Sequence, residues 1–324
     1  MPPHRSVPFL LLPVAAFLCG CGYVGDPHPP SLNIPERIAD LSAGERGDKL
    51  IIDFTPPAAT TDGVGLKRLR SIDLRAGPEG PNWEASARRL ETGAAKPGPI
   101  HLEIPAREWV GQQIVIRARA QAPKGRFGEW SNAARLKVLP PLERPAPDAQ
   151  AAPDGVRLRW NGPQGAQYRI YRRAPGEQKS QLAGTVGTPE YTDLQARYDA
   201  TYVYTVQAFV PSGDGEAQSE MSQPVEITPQ DTFAPAVPSG LSAVAGVGAI
   251  LLNWEPDPEP DLRGYYVYRS ADGQPPARLG ELATTPAYSD SAVQSGKRYR
   301  YEVTAVDQKG NESARSAPVE ATAP

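Results

Sequence analysis

The sequence contains few of the residues on which catalytic and metal sites usually depend. Among its 324 residues there are two cysteines and three histidines, and both cysteines, Cys19 and Cys21, lie near the start. A chain with no later cysteine has no disulfide framework, so each domain must be stabilised by an apolar core. The formal net charge of −3 is too weak to indicate nucleic-acid binding.

The candidates for catalysis or cation binding are isolated from one another. His101 could belong to a Ser-His-Asp arrangement, but no neighbouring motif supports one. The acidic run Glu255–Asp261 offers oxygen ligands for calcium, although Pro/Asp loops of this kind also occur without metal. Gly213–Gly215 and Gly246–Gly248 are typical of hairpin turns rather than of a phosphate-binding loop. We therefore predict a protein that is not an enzyme and has no metal or cofactor.

The two cysteines follow a short apolar run, and four interpretations are open. Cys19 and Cys21 could form a small, strained disulfide ring, could bind a metal with a nearby histidine, or could lie in an apolar helix. In the fourth interpretation they end a signal peptide, because the apolar run Val7–Leu18 follows a basic start. That run is also shorter than the roughly 17–25 residues that span a bilayer.

Leu18-Cys19-Gly20-Cys21 resembles the lipid-attachment motif of bacterial lipoproteins, in which a leucine-like residue and two mostly small residues precede the modified cysteine. The resemblance implies that residues 1–20 are a signal peptide and that Cys21 carries the lipid. Residues 21–35 are rich in proline and should form an extended tether of about 40 Å, at roughly 3.1 Å per residue. The expected location is the bacterial cell envelope, with a lipid anchor in the outer membrane, on its periplasmic or cell-surface side.

A long internal repeat predicts the domain organisation. The segment YRIYR, Tyr168–Arg172, recurs 97 residues later as YYVYR, Tyr265–Arg269. At the same offset, YVYTVQA, Tyr202–Ala208, recurs as YRYEVTA, Tyr299–Ala305. This period is too long for a solenoid repeat, so each copy should be an independent domain.

The copies have the residue pattern of β-strands. Apolar and arginine side chains alternate in GVRLRW, which indicates an antiparallel strand with one buried face. The Pro/Gly turns between such strands predict a sandwich.

The last copy strongly resembles a bacterial fibronectin type III domain, over the segments LLNWEPDPEPDLRGYYVYRS and YRYEVTAVDQKGNES. The resemblance implies that Trp254 fills the core between two sheets, and that Tyr265 and Val267 point inward. It also implies that Tyr299 forms a tyrosine corner, in which the buried hydroxyl bonds to the backbone just upstream.

The resemblance extends, with decreasing strength, towards the start of the chain. The second copy matches through Trp160 and Tyr202, whereas the first has no tyrosine and places Phe54 at the core-tryptophan position. We therefore predict an all-β protein of three tandem fibronectin type III, immunoglobulin-like, sandwiches. Their predicted bounds are 36–140 for domain 1, 141–230 for domain 2 and 231–324 for domain 3.

Domain 1 also carries a patterned basic surface. The strand IVIRARA should turn Ile114, Ile116 and Ala118 inward and its arginines outward. Trp130 resembles the Trp-Ser tryptophan of cytokine-receptor modules, and this resemblance implies that its ring stacks on Arg117 or Arg119. The surface is either a solvated basic face or a docking face for an anionic partner. The residues of this candidate interaction face are Arg117, Arg119, Trp130, Arg135 and Lys137.

These observations favour a non-enzymatic, membrane-anchored lipoprotein that acts as a spacer or protein-interaction module in the cell envelope. The alternative is a polysaccharide-binding accessory lipoprotein. The expected partners are the membrane, through the lipid on Cys21, and an unidentified envelope protein or polysaccharide, but not nucleic acid. Arg46-Gly47-Asp48 matches the integrin-recognition tripeptide, but Gly-Asp is also ordinary turn chemistry.

Overall fold

The computed structural model describes residues 32–93, 95 and 97–324. The predicted signal peptide, Cys21 and the first part of the predicted tether therefore lie outside the described residues. The described part consists almost entirely of β-strands and turns, with one short helix, and its strands form three sandwiches in chain order. The predicted fold of three tandem fibronectin type III sandwiches is confirmed. Within these residues, no helix has the length and apolar character needed to span a membrane.

Domain 1 packs a three-stranded sheet, β1–β2–β5, against a four-stranded sheet, β4–β3–β6–β7. Its elements are β1 (Ser42–Arg46), β2 (Lys49–Phe54), β3 (Ser71–Gly77), α1 (Trp83–Ser86), β4 (Arg88–Leu90), β5 (Ile100–Pro105), β6 (Gln113–Gln121) and β7 (Ala134–Lys137). Ile114, Ile116 and Ala118 of β6 are buried in one apolar core with Phe54 of β2, as predicted. Alternation along the strands therefore determines which face of each sheet is buried.

Domain 2 repeats this arrangement with an additional hairpin. Its strands are β8 (Asp148–Ala152), β9 (Gly155–Arg159), β10 (Gln167–Arg173), β11 (Gln181–Val186), β12 (Glu190–Asp193), β13 (Tyr202–Ser212), β14 (Gly215–Gln218) and β15 (Val225–Ile227). The three-stranded sheet is β12–β9–β8, and in the other sheet β13 follows β10 and β11. The long strand β13 pairs with β15 along its first part and with β14 along its last part. The hairpin β13–β14 therefore projects beyond the body of the sandwich.

Domain 3 has the sheets β16–β17–β20 and β19–β18–β21–β22. Its strands are β16 (Ser242–Gly246), β17 (Ala249–Asn253), β18 (Leu262–Ser270), β19 (Ala277–Ala283), β20 (Ala287–Asp290), β21 (Arg298–Asp307) and β22 (Val319–Thr322). Trp254 lies in the core, edge-on to Tyr265 with ring centroids 5.2 Å apart. The Gln294 backbone N–H donates to the Tyr299 hydroxyl at 3.0 Å. The predicted core tryptophan and tyrosine corner are thus confirmed.

Domains 1 and 2 share a sheet. Strand β14 pairs with β1 in parallel, Glu45 opposite Ala217 and Arg46 opposite Gln218. The result is one continuous sheet that runs from β11 of domain 2 to β5 of domain 1. Two predicted domains are therefore joined by backbone hydrogen bonds, which nothing in the repeat pattern indicates.

Candidate interaction surfaces

Trp130 lies across the outer face of the four-stranded sheet of domain 1. The guanidinium carbon of Arg119 is 4.2 Å from the centroid of its ring, and that of Arg75 is 5.5 Å away. Trp83, at the start of α1, meets Trp130 edge-on with ring centroids 5.2 Å apart. The predicted stacking of Trp130 on Arg119 is confirmed, and cation–π contacts of this kind stabilise partly exposed sites by about 0.5–1 kcal/mol each.

Arg117 belongs to the same face but contacts a different ring. Its guanidinium carbon is 5.2 Å from the ring centroid of Trp83. The Nε of Arg117 is buried and has no hydrogen-bond partner among the described residues. Arg117 is thus held in place by an aromatic ring while part of its hydrogen-bonding capacity remains unused.

Acidic side chains within domain 1 balance the other arginines of this face. The Asp73 carboxylate, only 1% exposed, accepts hydrogen bonds from Arg75 at 2.9 Å and from Arg119 at 3.0 Å. Burial alone would raise the pKa of Asp73, but these two arginines hold it below its usual range. Glu84 also accepts from Arg119, at 2.8 Å, and from the indole N–H of Trp130, at 3.1 Å. Sequence reasoning missed Asp73, although an aspartate between apolar residues in SIDLRAG was a usable signal.

Arg135 and Lys137 do not join this cluster and instead lie at the boundary with domain 2. The Arg135 guanidinium pairs with Glu79 at 2.9 Å and lies 3.8 Å from the Asp214 carboxylate of domain 2. The backbone of Lys137 bonds to the Ser212 hydroxyl, accepting at 2.6 Å and donating at 3.2 Å. The five predicted residues therefore form two groups, and whether either group binds a partner stays a prediction.

The tip of the β13–β14 hairpin lies against the edge strands of domain 1. The Asp214 N–H donates to the Arg135 carbonyl at 2.8 Å, and the Arg135 N–H donates to the Asp214 carboxylate at 3.0 Å. A Cβ atom on Gly213 would lie 2.2 Å from the Arg135 carbonyl oxygen, and one on Gly215 would lie 2.1 Å from that of Ala43. Real Cβ contacts are never this short, so only glycine allows the hairpin to approach so closely.

The tripeptide Arg46-Gly47-Asp48 is part of this junction. Arg46 ends β1, and Gly47 makes the turn to β2 with a φ of +55°. The Gly47 N–H donates to the Gln218 carbonyl of domain 2 at 2.9 Å. The tripeptide therefore lies in a hairpin turn against the neighbouring domain rather than at the tip of a long, open loop.

A buried carboxylate, Glu45, lies at the same junction. It is 4% exposed, and one oxygen accepts from the Leu139 N–H at 2.9 Å while the other has no partner among the described residues. Burial raises the pKa of Glu45, and the single bond from Leu139 offsets this only in part. Glu45 therefore ties the start of the interdomain linker to β1 at an electrostatic cost.

The junction between domains 2 and 3 is built from side chains. The Lys309 ammonium contacts the Asp199 carboxylate at 2.6 Å, and the Asn311 side-chain amide donates to the Asp231 carbonyl at 3.2 Å. Tyr198 and Phe233 stack with ring centroids 6.4 Å apart. Lys309 and Asn311 belong to the turn after β21, which occupies the same place in domain 3 as the hairpin tip occupies in domain 2.

Three carboxylates lie together at this second junction, with one oxygen each from Asp231, Asp261 and Asp307 within 4.8 Å of one another. Burial, followed by the charges of Asp307 and Asp261, raises the pKa of Asp231. Asp261 is the member of the acidic run noted in the sequence that joins this group. The group concentrates negative charge where the linker meets domain 3. The expected absence of metal stays a prediction.

Two further polar clusters are internal to single domains. In each, a buried aspartate accepts from an arginine and from a buried tyrosine hydroxyl, at 2.8–2.9 Å. The members are Arg172, Asp193 and Tyr204 in domain 2, and Arg269, Asp290 and Tyr301 in domain 3. All three pairs of equivalent residues are 97 positions apart, so the sequence repeat contained this signal although the cluster was not predicted.

His101, the histidine considered for catalysis, lies on β5 and is 54% exposed. Its Nδ1 is 2.7 Å from the Asp53 carboxylate, and its Nε2 is 3.8 Å from that of Glu103. The hydrogen bond with Asp53 raises the pKa of His101. Both ring nitrogens face carboxylates, which is not the arrangement of a serine nucleophile and its base.

Comparisons with known proteins give partial matches. No family model matches the chain. Exoglucanase B of Cellulomonas fimi is 31% identical over 160 residues, which are 48% of this chain and 14% of that protein. Amylopullulanase of Thermoanaerobacterium saccharolyticum is 36% identical over 88 residues, which are 27% of this chain and 7% of that protein. The chain thus spans a small part of these relatives, and the matched lengths correspond to about two domains and one domain.

Two solved structures also resemble the chain. The FN1–FN3 domains of chicken CNTN1 are 14% identical and cover 87% of this chain and 99% of that one, with a TM-score of 0.29. An Fn3-like protein from Clostridium thermocellum is 35% identical and covers 28% of this chain and 96% of that one, with a TM-score of 0.25. The strand order within each domain, rather than these scores, defines the fold as fibronectin type III.

Proposed function

We propose that this protein is a lipid-anchored, non-enzymatic lipoprotein that acts as a spacer and protein-interaction module in the bacterial cell envelope. The lipid on Cys21 would hold it to the membrane, and the three sandwiches would present their outer faces at a distance from the anchor. The shared sheet between domains 1 and 2 carries this proposal. A spacer must resist bending, and backbone hydrogen bonds across a domain boundary supply that resistance.

The basic face of domain 1 is the proposed contact surface for an anionic partner. Arg119 is neutralised by Asp73 and Glu84, whereas Arg117 has no ion pair among the described residues and is held on Trp83. Arg117 would therefore supply the free guanidinium, since a positioned arginine can bind a carboxylate or phosphate through two parallel hydrogen bonds. Arg117→Ala removes that group without breaking the Asp73 cluster, so it should weaken partner capture while the fold is unchanged.

A carbohydrate-associated accessory role is the second candidate, and the relatives support it. By name they are an exoglucanase and an amylopullulanase, and the matched stretches have the length of fibronectin type III domains, which are non-catalytic modules. The structure offers less support, because four of the five tryptophans are buried and the fifth, Trp130, is stacked against arginines. Wide, open aromatic platforms for sugar rings are thus scarce among the described residues.

Lipid labelling tests the anchor directly. Cys21→Ser should abolish incorporation of labelled fatty acid and release the protein from the membrane fraction, because Cys21 is the proposed acylation site. The matched control is Cys19→Ser, which removes the neighbouring thiol and should leave labelling and membrane association intact. A Cys21→Ser protein that stays acylated and membrane-bound would show that the anchor is wrongly assigned.

A further inference from the structure

Three segments meet at the end of domain 1 where the chain enters the fold. They are the entry segment 32–37, the loop 55–70 between β2 and β3, and the turn 122–128 between β6 and β7. The Thr61 N–H donates to the Ile34 carbonyl at 2.9 Å, and the Arg70 N–H donates to the Gln121 carbonyl at 2.8 Å. A Cβ atom on Gly128 would lie 2.7 Å from the Pro35 carbonyl oxygen. We call this surface the entry face.

The entry face is opposite the junction with domain 2. Strand β1 begins near Asn132, whose amide bonds to both backbone groups of Leu41, and it ends at the Gly47 turn against domain 2. Strand β7 likewise starts after the turn 122–128 and ends at Lys137 beside the hairpin. Domains 2 and 3 therefore leave the entry face uncovered.

Basic and apolar side chains are exposed together on the entry face. Lys67, Arg68, Lys124 and Arg126 are exposed and form no ion pair or side-chain hydrogen bond among the described residues. Three large apolar residues are also exposed there: Leu32 at 51%, Val64 at 47% and Phe127 at 38%. The same segments contain two acidic residues, Glu36 and Asp62, against six basic ones, the four above with Arg37 and Arg70. This surface combines positive charge with apolar tips.

The length of the chain before Leu32 places this face close to the proposed anchor. Leu32 already bonds to the Asp62 carboxylate at 3.1 Å, so the predicted tether ends earlier than its sequence suggests. Ten residues, 22–31, separate Cys21 from Leu32. Fully extended, they reach at most about 35 Å, and any shorter conformation brings the entry face nearer to the bilayer.

We propose that the entry face of domain 1 is a membrane-docking surface that binds the phosphates of anionic phospholipids. Lysine and arginine side chains near an anionic bilayer are attracted to its surface, and exposed apolar tips partition into the interfacial region. The protein would then stand on the bilayer with domains 2 and 3 directed away from it. This inference rests on the lipid anchor for its biological setting but not for its test.

Vesicle binding of the chain 22–324, which lacks both cysteines and contains every described residue, tests the proposal. Sedimentation should show binding to vesicles of phosphatidylglycerol mixed with phosphatidylcholine, and much weaker binding to phosphatidylcholine alone. Replacing the four unpaired basic residues of the entry face with alanine should weaken binding at least about tenfold, since each contributes to the attraction. Added salt should weaken wild-type binding as well, because it screens surface charge.

A matched variant controls for total charge. It replaces four exposed arginines of domains 2 and 3 with alanine, namely Arg157, Arg159, Arg263 and Arg298, and should bind as the wild type does. The proposal would be overturned if the two variants lost vesicle affinity equally, or if the wild type bound charged and neutral vesicles equally well. Loss of fatty-acid labelling is measured separately on Cys21→Ser, so a failed anchor and a failed docking surface give different results.

Discussion

The two domain junctions use equivalent turns in different ways. Ser212 and Gly213 of domain 2 correspond, 97 positions on, to Lys309 and Gly310 of domain 3, and both turns contact the preceding domain. At the first junction the turn is the tip of a hairpin that extends the sheet of domain 1 through backbone hydrogen bonds. At the second it makes one exposed ion pair with domain 2 and one side-chain hydrogen bond to Asp231 of the linker, while Tyr198 stacks on Phe233 beside it.

The difference predicts which junction is stiff. Backbone hydrogen bonds between paired strands fix both the distance and the relative orientation of the domains, because a strand can slip only by losing its register. An exposed ion pair is long, flexible and screened by salt, so it restrains a domain weakly. We therefore expect domains 1 and 2 to move as one body and domain 3 to move relative to them.

The largest effect should come from a methyl group at the first junction. Gly213→Ala places a Cβ atom against the Arg135 carbonyl, whereas Gly310→Ala at the equivalent turn meets nothing within 4 Å. Both glycines have positive φ, +62° and +90°, so the cost of a left-handed alanine is shared by the two variants. Gly213→Ala should lower the free energy of unfolding by about 1–3 kcal/mol more than Gly310→Ala does, which is the usual cost of overpacking.

Chemical denaturation measures this comparison. In the wild type, domains 1 and 2 should unfold in one transition, and Gly213→Ala should separate it into two. Gly310→Ala should shift only the transition of domain 3. Equal losses of unfolding free energy in the two variants would show that only the strain of a left-handed alanine matters, and that the contact of the hairpin with domain 1 does not stabilise the protein.

A smaller effect, of opposite sign, should come from Glu45. Burial raises the folded-state pKa of Glu45, so ionisation of this carboxyl group destabilises the folded protein. The contribution of neutral Glu45 to stability is fully present below the unfolded-state pKa and is lost as the pH rises through the folded-state pKa. Glu45→Gln keeps an oxygen acceptor for the Leu139 N–H but removes the charge. It should stabilise the joined domains at neutral pH, because it removes the cost of burying a charged carboxylate.

The pH dependence provides the control for that change. The difference between Glu45→Gln and wild type should disappear in acid, where Glu45 is protonated in both the folded and the unfolded states. A Glu45→Gln protein that is less stable than wild type at neutral pH would show that the ionised carboxylate is needed at the junction.

The smallest effect should come from the second junction. Lys309→Ala removes the exposed ion pair with Asp199 and should leave the unfolding midpoint of domain 3 nearly unchanged. It should instead broaden the distribution of distances between domains 2 and 3. High salt should produce the same broadening in the wild type, since salt screens the ion pair between Lys309 and Asp199 that the substitution removes. A large fall in the midpoint would show that this junction is more than a loose contact.

The sequence predicted features that depend on short-range pattern. The resemblance to fibronectin type III domains implied that Phe54 and Trp254 lie in the cores and that Tyr299 forms a tyrosine corner, and the structure confirms all three. The stacking of Trp130 on Arg119 was implied by the resemblance to cytokine-receptor modules. These features involve side chains whose neighbours are set by the fold of one domain.

The shared sheet was not predictable in this way. Gly213 and Gly215 resemble an ordinary hairpin turn, and the partner of β14 is an edge strand of another domain, about 170 residues earlier in the chain. The unpaired backbone N–H and C=O groups of an edge strand can pair with strands of many different sequences, so no residue pattern identifies the partner of β14. The burial of Asp73 had a signal in the sequence, but its bond with Arg119 did not, because Arg119 reaches Asp73 only when β3 and β6 pair.

Distance distributions between spin labels test directly whether domains 1 and 2 form one rigid body. The chain 22–324 has no native cysteine, so cysteine pairs can be introduced at exposed positions, with Arg107 in domain 1, Gln164 in domain 2 and Gln274 in domain 3. We expect a narrow distribution of distances between labels at 107 and 164 and a broad one between labels at 164 and 274. Equally broad distributions for the two pairs would contradict a rigid junction between domains 1 and 2.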